Sequence, residues 1–226
     1  MKNIVVKEIK KHPKTDVLTI ILLLTLVVAF AGALRQHNWV SMVFIIIIAI
    51  LICLPRIIGK LSNIEIPAKL GVYIIIFLYV TLFLGEMKNY YATYWWWDVA
   101  IHATSGLAFG IIGFIILYIL YKTEKIKTSP KTIAMFSFAF ALAIGALWEI
   151  FEFIIDQSFG TNMQTKANGC GLVDTMKDLI VDSLGALFSA IMGYLYLKKD
   201  SGIVVKPMVK EFKKDNPRFF KKKKSR

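Results

Sequence analysis

The chain has 226 residues, 57% of them hydrophobic, and a formal net charge of +13. Apolar runs of about twenty residues recur along it, which excludes an ordinary water-soluble domain and marks helices long enough to cross roughly 30 Å of hydrocarbon. Its two cysteines show no CxxC and no Cys/His zinc spacing.

Six membrane-spanning helices are predicted, at about 17–34, 38–55, 68–86, 98–121, 131–157 and 172–197. They form an all-α polytopic bundle over residues 1–199, and residues 200–226 follow as a basic tail. The first span follows a basic stretch and ends near Ala29-Phe30-Ala31 and Ala31-Gly32-Ala33, which resembles a cleavable signal. The long basic region and the full-length apolar run favour an uncleaved helix; cleavage would leave five spans. Residues 43–52 and 72–84 are β-branched, yet their length and lack of alternation argue for helix in lipid, where backbone groups must pair internally.

Residues 88–97 (KNYYATYWWW) form an aromatic segment before the fourth span. With Trp39 and Trp148 it places the tryptophans at one interface, as an anchoring belt does. Lysine and arginine number 24 in the termini and the 2–3 and 4–5 connections, against 3 in the other connections. The positive-inside rule then puts both termini in the cytoplasm, as an even number of spans requires. Cys53 and Cys170 are accordingly expected on opposite sides and unpaired.

Small residues line the last three spans: Gly106, Gly110 and Gly113; Ala141 and Gly145; Gly185, Ser189 and Gly193. Such spacings let helix backbones approach closely in lipid. The stripes on the fifth and sixth spans continue into acidic ones. Asp98 and His102 are one turn apart, Glu149, Glu152 and Asp156 step by three and four, and Asp174, Asp178 and Asp182 step by four. Each set falls on one helix face, in the outer half of the membrane by the topology above. Glu86 ends the third span, where Lys88 is a ready partner.

A carboxylate in a bilayer costs several kcal/mol unless it is paired, metal-bound or protonated, so this set is the candidate site. Asp98, His102, Glu149, Asp178 and Asp182 are the expected catalytic residues. The same five with Glu152, Asp156 and Asp174 are the expected metal ligands. All-oxygen ligation favours Mg²⁺, Mn²⁺ or Ca²⁺, and one histidine turns the choice toward Mn²⁺, Fe²⁺ or Zn²⁺. Lys177 and Lys166 are the expected substrate-binding cations on that side. The bland alternative is a hydrogen-bonded network among helices, with Asp174 a helix N-terminal acid. Ser105 lies near His102, but no carboxylate–His–Ser order is evident, and Gly169-Cys170-Gly171 reads as a turn before a helix.

The motifs Trp97-Asp98 with His102 and Ser105-Gly106, Trp148-Glu149-Ile150-Phe151-Glu152, Phe159-Gly160-Thr161-Asn162, and Gly171-Leu172-Val173-Asp174-Thr175-Met176 with Asp178, Asp182 and Gly185 resemble the YjdF-like prokaryotic integral membrane proteins. More distantly, their order is similar to the VanZ-like family. The resemblance covers roughly residues 90–197. It implies a multi-pass protein of a prokaryotic cell membrane and singles out these residues, without naming a reaction.

Three functions are open at this point. The first is a divalent-metal hydrolase or transferase of a lipid or lipid-linked phosphate at the outer leaflet; its weakness is the shortage of basic residues there. The second is cation or proton transport, against which stand the apolar inner half and the absence of an inverted repeat. The third is a non-catalytic protein with a structural carboxylate network. In the tail, Val205, Met208, Val209 and Phe212 follow helical spacing among lysines. The tail is expected on anionic inner-leaflet lipid, with Lys221–Lys224 adding attraction, or as a solvated topology determinant. Membrane lipid is the expected partner and nucleic acid is not, since no folded basic domain accompanies the tail. The oligomeric state is open.

Overall fold

The computed structural model describes residues 13–164, 171–200 and 204–220. Lys166, Cys170 and Lys221–Lys224 fall outside the described residues. The elements are α1 (Pro13–Arg35), α2 (Trp39–Ser62), α3 (Ala68–Leu78, continued by π-helical turns over Tyr79–Met87), α4 (Tyr90–Thr93), α5 (Trp97–Lys122), α6 (Pro130–Phe159), α7 (Gly171–Lys199) and α8 (Val205–Asp215). No strand occurs among the described residues. Six of the helices are long and apolar enough to cross a membrane, namely α1, α2, α3 with its π-helical turns, α5, α6 and α7. By contact the chain divides into two compact units. One holds α1 to α3 with residues 214–216; the other holds α4 to α7 and most of α8.

In the first unit Leu26, Ile45, Ile48, Ile52, Ile75 and Phe83 form the core. Val17, Ile20, Leu24 and Val28 are exposed along the other side of α1, as suits a helix wetted by lipid. The prediction ended the second span at Pro55, but α2 runs through it to Ser62, where Asn63 in the left-handed region (φ 55) closes the helix. Proline removes one backbone hydrogen bond; leaving the helix in a water-free layer would strand many more. One residue later Arg56 pairs with Asp16, a buried acid in the first turn of α1. Asn216 also belongs to this unit: its side chain accepts from Glu65 N at 2.8 Å and donates to Glu65 O at 2.7 Å.

In the second unit α5, α6 and α7 pack on one another where the small residues lie. Gly106 on α5 rests against the backbone of Asp182, and Gly185 on α7 rests against Ala103 and Leu107. Gly110 gives room to the Ser189 hydroxyl, and Ser137 Oγ donates to Gly110 O at 2.6 Å. The expected meeting of the small-residue faces is therefore present. α6 starts at Pro130 behind Ser129, whose side chain accepts from Thr132 N, and ends at Gly160 with φ 64. A proline in the first turn and a left-handed glycine beyond the last are the usual boundaries of a helix.

The tail forms a helix with the expected apolar face, but that face has a protein partner. Val205, Val209 and Phe212 are buried against Phe114, Tyr118, Ile133 and Tyr196 at the ends of α5, α6 and α7. The bundle end covers this apolar face. Lys206 Nζ donates to Asp200 O at 2.6 Å and to its Oδ2 at 2.7 Å, which holds the Asp200 carboxyl below the usual range. Lys213 stands over the Tyr118 ring, 5.2 Å from its centroid. Phe212→Ala is expected to cost about 3–5 kcal/mol, the usual loss for a buried phenylalanine. Unfolding in detergent measures it, and unchanged stability would mean that α8 is not docked.

Candidate metal centre

Helical periodicity brings the acidic faces inward. Asp98 lies in the first turn of α5 and His102 one turn further in; Glu149 lies on α6, and Asp174, Asp178 and Asp182 lie on α7. His102 is 5% exposed, Glu149 4%, Asp178 2% and Asp182 1%, while Asp98 is half-buried. At 1.5 Å per residue, His102 and Asp178 lie about 8 and 10 Å inside the ends of their helices. The glycine contacts of α5 with α7 are at the same level, so the backbones are closest where these side chains meet.

The imidazole of His102 organises the site. Its Nε2 faces Asp98 Oδ1 at 3.6 Å, Glu149 Oε1 at 3.8 Å and Asp178 Oδ2 at 4.0 Å. Asp98, His102 and Asp178 each offer one ligand atom, all within 4.8 Å of one another. Its Nδ1 faces Asp182 Oδ2 at 3.2 Å, and Asp182 Oδ1 accepts from Ser105 Oγ at 2.8 Å. Oδ2 of Asp178 is buried without a hydrogen-bond partner among the described residues, and the Glu149 carboxyl is buried beside the Thr175 hydroxyl. Four carboxylates around one imidazole exceed any charge the ring can balance. A cation or additional protons must neutralise them.

Two of the other expected ligands accept local hydrogen bonds. Glu152 accepts from Trp148 Nε1 at 2.8 Å on the same helix. Asp156 accepts from Thr161 Oγ1 at 2.5 Å, Met163 N at 2.8 Å and Gln164 N at 3.0 Å, closing the turn after α6. These bonds engage Glu152 Oε1 and both oxygens of Asp156 locally, while Glu152 still lies in the field of Glu149, His102 and Asp98. Asp182 was expected among the ligands too, and it sits instead behind His102, on Nδ1. Asp174 is buried one turn before Asp178, where a simple dipole acid would face outward. Lys177 is exposed, beside Asp178 in sequence but off the buried face.

Two contributors had no role in the sequence reading. Ser105 lies three residues after His102, so helical spacing puts the two on one face of α5, and the structure adds its link to Asp182 on α7. Gln164 donates to Glu149 O at 3.3 Å and to Thr175 Oγ1 at 2.9 Å, ties that a loop sequence does not reveal. A cavity of about 610 Å³ reaches Glu149 between the ends of α6 and α7, walled by Phe153, Asp156, Gln164, Leu172 and Thr175.

Over 140 residues the chain is 27% identical to an uncharacterised protein of Thermotoga maritima, an overlap of 62% of this chain and 69% of that protein. No solved structure matches it. The resemblance carried by α5 to α7 agrees with the family comparison, in which the family described as "Predicted membrane protein (DUF2238)" matches residues 17–199. The chain therefore belongs to that family of predicted membrane proteins, and its six apolar helices make it a multi-pass member.

Proposed function

We propose that the protein is a membrane enzyme that holds a divalent cation on Asp98, His102, Glu149 and Asp178. With it the enzyme hydrolyses or transfers a phosphoester of a lipid or lipid-linked substrate at the extracytoplasmic face. One observation carries this reading: a buried imidazole nitrogen faces three carboxylate oxygens, and that of Asp178 has no hydrogen-bond partner among the described residues. Buried acceptors left unpaired cost about 1–3 kcal/mol each, more when charged. A purely structural network would pair them.

A divalent ion on such ligands polarises a phosphoryl oxygen and lowers the pKa of bound water to near neutrality. The ion would also supply positive charge that the described lining of the Glu149 cavity lacks. Phe153 and Leu172 give that cavity an apolar wall suited to a lipid tail, and Gln164 and Thr175 give it hydrogen-bonding groups for a polar head.

The test is release of inorganic phosphate from phosphatidic acid and from a polyprenyl diphosphate by the protein in proteoliposomes. Release that stops on chelation and resumes on adding Zn²⁺, Mn²⁺ or Mg²⁺ is expected. No release from either lipid, with the ion still bound, would reduce the site to a structural cation centre.

A further inference from the structure

In a step that rests on the cation site proposed above, we infer that its ion belongs to the imidazole-binding class of zinc, manganese, iron and cobalt, and that Asp182 is the positioning residue that presents the imidazole to it. An ionised carboxylate only accepts hydrogen bonds. Once Nε2, which faces Asp98, Glu149 and Asp178, is given to a cation, the ring keeps one proton, and Asp182 Oδ2 at 3.2 Å is placed to accept it from Nδ1. Ligand atoms bonded at about 2.1 Å to one ion lie about 3.0–4.2 Å apart, depending on the angle between the bonds. The three Nε2 separations, 3.6, 3.8 and 4.0 Å, fall inside that window.

Asp182 is fixed in this role from several sides. Ser105 on α5 holds its other oxygen at 2.8 Å. Gly106 lets the Asp182 backbone lie against α5, and a Cβ at Gly145 on α6 would run into the carboxylate itself. The residue is 1% exposed. It cannot swing to the ion without abandoning both His102 and Ser105. A carboxylate on the far nitrogen is the usual means of setting the tautomer and basicity of a metal-binding histidine. Mg²⁺ and Ca²⁺ instead favour oxygen shells, Mg²⁺ retaining several waters and Ca²⁺ taking six to eight oxygens, so a nitrogen in a small buried set selects against them.

The experiment uses the full-length protein in detergent, stripped by chelation. Zn²⁺, Mn²⁺, Mg²⁺ and Ca²⁺ are titrated by calorimetry, and Co²⁺ is followed by its visible absorption. Wild type is expected to bind Zn²⁺ and Mn²⁺ and to retain them against excess Mg²⁺ or Ca²⁺. Asp182→Asn places an amide where a carboxylate accepted and favours the wrong tautomer. It is expected to weaken Zn²⁺ and Mn²⁺ binding about 10- to 100-fold and to shift the Co²⁺ bands. Should that variant fail to fold, Ser105→Ala keeps the carboxylate, loses one hydrogen bond, and is expected to shift the affinity in the same direction by less.

Mg²⁺ or Ca²⁺ binding as tightly as Zn²⁺ and Mn²⁺ would overturn the inference, as would wild-type affinity in both variants. Binding of no ion by wild type would overturn the cation reading itself. Selective ion binding without phosphate release would leave this inference standing and remove only the proposed reaction.

Discussion

Replacing Asp178 with asparagine is expected to abolish ion-dependent stabilisation while leaving the ion-free protein as stable as wild type or more so. Asp178 Oδ2 is buried with no hydrogen-bond partner among the described residues and faces His102 Nε2 at 4.0 Å. In the absence of a cation this carboxylate is a cost, because a charge in a low-dielectric layer has lost its hydration. Asparagine removes the charge and keeps the shape. With the ion bound the sign reverses, since the carboxylate becomes a ligand.

For wild type, an ion at about 100 times its Kd adds about 2.7 kcal/mol to stability. For Asp178→Asn the same addition should do nothing, and phosphate release should stop with it. Thermal unfolding of both proteins with and without Zn²⁺ or Mn²⁺ measures the effect. A structural network predicts the opposite pattern: the variant would be destabilised without any ion, and wild type would be indifferent to the ion. The two patterns differ in sign, so modest precision is enough.

The second large effect belongs to the first unit. Arg56→Ala is expected to destabilise the protein by about 3 kcal/mol, the lower end of the range for breaking a buried pair. Asp16 is 5% exposed and Arg56 is its ion-pair partner among the described residues, so truncation takes that compensating charge from a buried carboxylate. The Arg56 side chain is half-exposed, which lets water screen part of the interaction and keeps the estimate low. Removing both charges, as Asp16→Asn with Arg56→Gln, should recover most of the loss, because the penalty comes from the orphan and not from a missing attraction. Unfolding of the single and double variants in detergent makes the comparison. A single variant as stable as wild type would show that Asp16 draws its support from elsewhere.

That pair also shows where reading by composition stopped short. Asp16 lies just before the first expected span and Arg56 just after the second, so neither was singled out. In the structure each lies inside a helix of the first unit. Proline is a stop signal where water can satisfy the freed carbonyls. Within a membrane layer the helix continues, since ending it leaves more backbone groups unpaired. The tail gives a parallel case. Spacing at Val205, Val209 and Phe212 was enough to predict an amphipathic helix, yet amphipathicity does not say what covers the apolar face. Lipid and the ends of three helices are equally apolar partners, and the bundle end at Tyr118, Ile133 and Tyr196 is the one that lies within reach.

The sequence by itself determined the spans and the faces. Both follow from properties of single segments: the length of an apolar run, and a period of 3.6 residues that stacks Asp174, Asp178 and Asp182 or Glu149, Glu152 and Asp156 on one side. Only the tertiary structure decided which members of those faces meet. Contact at Gly106 and Gly185 sets the level of α5 against α7, and that level places Asp182 on Nδ1 of His102 and Asp178 toward Nε2. The turn after α6 folds back and takes Asp156 for its own backbone, while Trp148 takes Glu152. Ligand and support are distinguished by a few ångströms between helices. Distances of that kind are set by packing among helices, which a one-dimensional pattern does not record.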